Sequence, residues 1–226
     1  MTGSMIAFSA NGHKTPGFLS LPPGGRGPAV IVVQEWWGLV GHITAVADRF
    51  AAAGFVALAP DFYHGTQATS PDEAGKLMMA LDIARVAADL RGAADFLLAH
   101  PAVTSTKVGT VGFCMGGQLA VYAAIEYPER IGAAVDFYGI HPNVPLDASR
   151  LRVPVLAHFG KTDRSIPEAA ARGLADQCTA AGARFDAHFY DAGHAFFNDA
   201  RPQVYDATSA TLAWERTLAF LREHVR

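Results

Sequence analysis

The stretch Val108-Gly109-Thr110-Val111-Gly112-Phe113-Cys114-Met115-Gly116-Gly117 decides how the rest of the chain is read. An apolar run leads into a cysteine with glycines two positions either side, and an Ala-rich segment over residues 115–126 follows and stops before Pro128. This is a strand, a sharp turn and a helix. The glycines allow the two arms to pass without clashes, and the central side chain stands exposed at a helix N-terminus, where backbone N–H groups favour a thiolate or an oxyanion. The pattern predicts a nucleophile elbow with Cys114 in the place usually held by serine. The plainer alternative is a buried cysteine in an ordinary strand–helix turn.

Working outward, the same alternation repeats. Residues 29–33, 55–59, 108–113, 133–137 and 153–159 are short apolar runs, as expected for parallel strands buried on both faces, with 184–190 a more mixed sixth. Between them lie helical patterns. Ile83, Val86, Leu90, Ala93 and Leu97 follow +3/+4 steps up to Pro101, and Pro167 and Gly182 bracket another helix. Gly54 punctuates a helix-to-strand joint, and a last helix is expected over about 203–224. The fold class is therefore α/β, a mostly parallel sheet flanked by helices on both faces. Residues 5–9 and 16–20 are expected to add a short antiparallel hairpin at one edge.

Composition agrees. The chain has 226 residues, half of them hydrophobic and 17% charged, which excludes disorder, coiled coil and collagen. At this length one domain over 1–226 buries roughly 70% of its extended surface and needs no staples. The net charge of −3 and an isoelectric point of about 6.3 argue against nucleic acid as a partner. No run approaches the ~20 apolar residues that span a bilayer, and MTGSMIAFSA has no basic segment followed by a long apolar one, so no membrane association and a cytoplasmic location are expected. The two cysteines, Cys114 and Cys178, cannot build a disulfide framework and fit a reducing compartment. Cys178 lies inside a helical pattern and reads as structural.

In such sheets ligands bind beyond the carboxyl ends of the strands. An acid and then a histidine should follow the nucleophile in chain order. Asp163, in Phe159-Gly160-Lys161-Thr162-Asp163, and His194, in Asp191-Ala192-Gly193-His194, have that order. Asp191 is a rival acid, but it sits too close to His194 to come from a separate strand. The imidazole would take the thiol proton while the carboxylate fixes its tautomer. No His-Glu-x-x-His and no Cys/His cluster with ligand spacing occurs, so no metal and no cofactor are expected.

With Gln34-Glu35-Trp36-Trp37-Gly38, Ala59-Pro60-Asp61-Phe62-Tyr63 and Gly193-His194-Ala195-Phe196, the Gly112–Gly117 run resembles the dienelactone hydrolase family from about residue 17 to 220. The resemblance implies an α/β-hydrolase fold and a Cys-His-Asp triad without metal, acting on a small lactone or ester. The type reaction is dienelactone to maleylacetate, in the breakdown of aromatics. It also implies that Glu35 contacts the resting cysteine and helps form the thiolate, that the amides of Met115 and Trp36 form the oxyanion hole, and that Tyr138 lines the pocket. A charged carboxylate beside the thiol would favour a neutral resting Cys114. Trp37 reads as wall or core.

The chain departs from the family pattern at the arginines that hold the substrate carboxylate. Asn198 occupies one such position, and residues 69–76 contain no arginine. Lys76, Arg85 or Arg201 could substitute, though a lysine is not a bidentate fork. The substrate could equally be an uncharged ester or thioester, or the fold could serve a non-hydrolytic binding protein. A monomer or weak homodimer is expected.

Overall fold

The computed structural model describes residues 3–10 and 12–226. The elements run β1 (Ser4–Ala10), β2 (His13–Ser20), β3 (Gly27–Val33), α1 (Gly41–Ala52), β4 (Val56–Pro60), α2 (Pro71–Met79), α3 (Ile83–Ala99), β5 (Val103–Phe113), α4 (Met115–Glu126), β6 (Ile131–Phe137), β7 (Val155–Gly160), α5 (Glu168–Ala180), β8 (Phe185–Tyr190) and α6 (Ala207–His224). All eight strands form one sheet in the order β1-β2-β4-β3-β5-β6-β7-β8. From β4 to β8 the pairing is parallel; β1 pairs antiparallel with β2, and β2 antiparallel with β4. The edge hairpin is thus present, with Ser4 opposite Leu19 and Ala10 opposite His13.

The continuous apolar runs have a direct cause. Successive strand side chains point to opposite faces, so a strand covered on both sides needs apolar residues at every position. In β3, Ala29, Ile31 and Val33 join one core, under α3, α4 and α5, while Val30 and Val32 join a second core under α1 and α6. In β4, Val56 and Leu58 face the first core and Ala57 and Ala59 the second. Truncating a fully buried residue such as Ile31 to Ala would cost about 2–5 kcal/mol. β8 reads as mixed because it is an edge strand, with only Phe185 and Tyr190 buried.

Two boundaries shift and one helix is added, for local reasons. β7 begins at Val155 because Pro154 has no N–H to give the ladder. α6 begins at Ala207, not near 203, because the Asp206 side chain accepts from the Ser209 N–H (2.7 Å) and caps it there. α2 lies where no separate helix was read from the sequence. Its start is marked by Ser70, whose hydroxyl accepts from the Glu73 N–H, and by Pro71 in the first turn.

The strand order reverses at β3, with β4 on one side and β5 on the other, so a crevice opens beyond the carboxyl ends of β3 and β5. The turn from β5 into α4 forms its floor. Cys114 there has φ 54° and ψ −122°, a strained conformation for a residue with a side chain. A Cβ at Gly112 would overlap the Gly116 carbonyl, and one at Gly116 would overlap the carbonyls of Val33 and Gln34. Cys114→Gly should therefore be more stable than Cys114→Ala by about 1 kcal/mol, since glycine relieves the strain and alanine keeps it. Thermal unfolding of the two variants tests this; equal midpoints would show that the turn is unstrained.

Candidate active site

Each candidate side chain hangs from a strand end. Asp163 follows β7 and is buried. Its Oδ1 accepts from the N–H groups of Ser165 (2.7 Å) and Ile166 (2.9 Å), which fixes the carboxylate. Its Oδ2 accepts from His194 Nδ1 at 2.7 Å. His194 follows β8 on a short loop held down by its neighbours. Phe196 and Phe197 are fully buried; Phe197 stacks on Phe113 (5.5 Å between centroids) and Phe196 meets Tyr138 edge-on (5.4 Å). The rival acid Asp191 is exposed and bound to Lys161 Nζ (2.7 Å).

Cys114, His194, Met115, Trp36, Tyr138 and Arg201 line one cavity of about 240 Å³, closed by Met78, Ile140, Pro142 and Ile166. Burial opposes a charged His194, but the Asp163 carboxylate and the Cys114 sulfur outweigh it and carry the imidazole up to about 10. Asp163 on one side and the Cys114 sulfur on the other thus both favour the protonated ring. Tyr138 is fully buried with φ 46°, and its ring packs edge-on to His194 (5.1 Å). Burial, with Glu35 and Cys114 nearby, pushes its phenol well up, so it stays neutral. Outside helices and strands, no backbone carbonyl among the described residues accepts from the Met115 or Trp36 amide.

Glu35 lies on the loop after β3 and is buried. Asn198 Nδ2 donates to its Oε2 (3.0 Å), while Oε1 has no hydrogen-bond partner among the described residues. Burial pushes its carboxyl up from 4.5 to about 7, against the pull of His194, Asn198 and Arg201. The resemblance implies a Glu35–Cys114 contact; among the described residues the bond that Glu35 makes is to Asn198.

The remaining candidates divide. Asn198 and Trp37 line a neighbouring cavity of about 460 Å³, with Arg201 on the boundary between the two and its guanidinium 5.4 Å from the Trp37 ring. Trp36 and Trp37 meet edge-on at 5.2 Å. Lys76 is on the surface, bound to Asp72 (2.7 Å), and Arg85 lines a different cavity. Cys178 is buried in α5, and burial pushes its thiol up to about 11. Tyr63, quoted in the motif but given no role by the sequence, donates its hydroxyl to Met115 Sδ (3.8 Å), and the wall residues Met78, Ile140 and Ile166 carry no chemical signal. Among the described residues, one group of three side chains could hold a metal ion, His13, His64 and Asp89, and none of the three lines this cavity.

Comparison with known proteins fits this geometry. Residues 15–225 match the dienelactone hydrolase family. The chain is 38% identical to Protein usf of Aquifex pyrophilus over 99% of both chains. It is 35% identical to an Aquifex aeolicus protein provisionally named a carboxymethylenebutenolidase, covering 99% of this chain and 100% of that one. A provisional dienelactone hydrolase from Klebsiella pneumoniae has the same fold, with a TM-score of 0.89, 30% identity and 98% of each chain covered. The chain belongs to the dienelactone hydrolase family of carboxylic ester hydrolases with the α/β-hydrolase fold.

Proposed function

We propose that the chain hydrolyses a small lactone or ester through Cys114, His194 and Asp163, by way of an acyl-thioester. The observation that carries this is the 2.7 Å bond from His194 Nδ1 to the buried Asp163, with that same ring in one cavity with a cysteine held in a strained turn. With Nδ1 engaged by Asp163, Nε2 is the nitrogen that takes the Cys114 proton. The thiolate adds to the substrate carbonyl, and the developing oxyanion is met by the amides of Met115 and Trp36. The C–O bond breaks, and the alkoxide takes the proton from His194; in a lactone it stays tethered to the acyl group. His194 then removes a proton from water, hydroxide attacks the thioester, and thiolate leaves and is reprotonated. The sum is one ester bond and one water converted to an acid and an alcohol. A free thiol nucleophile also suits a reducing, cytoplasmic setting.

Glu35 tunes the thiol. Near pH 7 its buried carboxyl is split between neutral and charged forms, so thiolate formation does not always face a second negative charge. Arg201 is the one arginine or lysine lining the cavity, and it supports an anionic group on the substrate, such as the carboxylate of dienelactone, while the apolar wall suits its carbon skeleton.

Cys114→Ala should abolish turnover, and intact-mass spectrometry of the wild type should show a transient acyl adduct on Cys114; binding without turnover would mean a non-hydrolytic protein. Across a panel of lactones, aryl esters and thioesters, Arg201→Gln should lower kcat/KM for carboxylated substrates about tenfold or more and leave neutral ones little changed. A preference for neutral esters in the wild type would remove the anionic-substrate reading.

The sign for Glu35 follows from its raised pKa. The neutral form's stability is fully present below pH 4.5 and is lost as pH rises through about 7. Glu35→Gln keeps the neutral form, so its stability gain over wild type should grow by about 3 kcal/mol between pH 4 and pH 8.5. An inflection near pH 7 in kcat/KM should vanish in the same variant; one that persists belongs to another group.

A further inference from the structure

We propose that His13, His64 and Asp89 form a binding site for one divalent transition cation, apart from the catalytic cavity, that clamps the β1–β2 hairpin to α3 and to the loop after β4. The three residues come from the start of β2, the loop after β4 and the middle of α3. One ligand atom from each lies within 4.8 Å of the other two. His13 Nε2 and Asp89 Oδ1 stand 3.3 Å apart. That is the edge of a tetrahedron built on metal–ligand bonds of ~2.0–2.1 Å, which works out at ~3.3–3.4 Å. Two imidazoles and a carboxylate suit a borderline metal such as Zn²⁺ and not Mg²⁺ or Ca²⁺, which take oxygen ligands.

A second observation points to a ligand. The Asp89 side chain is only 2% exposed, and its Oδ1 is paired with the His13 ring 3.3 Å away. A buried carboxylate met by the edge of one imidazole gains further from a cation placed between them. The helix is drawn tightly onto the hairpin near this point, since a Cβ at Gly92 would overlap Ala10. His64 is set from the other side. Its φ is 50°, and Asp61 holds the turn around it by accepting from the N–H groups of Tyr63 (3.0 Å) and Gly65 (2.6 Å). His64 is exposed, so its ring can close the remaining gap, and the open side of the adjoining cavity of about 250 Å³ leaves room for water as a fourth ligand. Arg85 Nη2 lies 3.4 Å from His64 Nε2 and would compete with the cation.

The test uses the full chain carrying Cys114→Ala, which removes the catalytic thiol as a rival ligand, after stripping with chelator. Calorimetric titration with Zn²⁺ should show one ion per chain, thermal unfolding should shift upward with Zn²⁺ but not with Mg²⁺, and Co²⁺ should give visible absorption bands of a low-coordinate site. In that background, His64→Ala, a surface change that keeps the fold, and Asp89→Asn should each weaken Zn²⁺ binding tenfold or more, and Arg85→Ala should tighten it. Unchanged binding in His64→Ala, weaker binding in Arg85→Ala, or no binding at 0.1 mM Zn²⁺ (on the order of the weakest useful site) would overturn the proposal. Because hydrolysis is not the readout, failure here leaves the reading of Cys114 untouched.

Discussion

The architecture of the site depends on one close approach. Gly116 lets the first turn of α4 rest on the carbonyls of Val33 and Gln34, and Gly112 lets β5 pass beneath the Gly116 carbonyl. No side chain fits in either place. This contact seats α4 against the end of β3, brings the Met115 amide toward the loop that carries Glu35 and Trp36, and forces Cys114 into its positive-φ turn. The same economy of space continues at Gly117 and Gly139, where a Cβ would strike the buried Asp136 carboxylate, which in turn accepts from the Gly139 N–H (2.8 Å). Strain at Cys114 is borne by the two cores on either face of the sheet.

Electrostatics in the crevice are those of groups withdrawn from water. Glu35, Asp163 and Tyr138 are all buried around the half-buried Cys114 and His194. Their environments separate them. Asp163 has two backbone donors and the imidazole, while Glu35 has one amide and an unmet oxygen. Asp163 is thereby held as an acceptor on both oxygens, while Glu35 changes charge near neutrality. Such a pair of unlike carboxyls beside a cysteine and a histidine is a common mark of acid–base work.

Much of this was legible beforehand. The α4 boundaries, the hairpin, the five continuous apolar runs and the more mixed sixth are local signals, and the order Cys114, Asp163, His194 is the one the elbow pattern calls for. The rest was not. α2 hides because its apolar face is short, with Ala74 its one buried residue. Asn198 was placed by register with a family position that meets substrate, yet it holds Glu35 from 163 residues away. Of Lys76, Arg85 and Arg201, Arg201 stands within reach of His194 along the chain, and the loop after β8 brings it to the cavity.

By itself the sequence determined the layer architecture, the site's place at the strand ends and the strained cysteine turn, because each depends on residues near one another along the chain. Only the tertiary structure decided which distant side chains meet: Glu35 with Asn198, Arg201 with Trp37, and His13 with His64 and Asp89. No spacing rule could find that last cluster, because its members sit on a strand, a loop and a helix whose approach is set by the packing of α3 on the hairpin. Local chemistry selects the elements, but the burial of their shared apolar faces sets which polar groups are brought face to face.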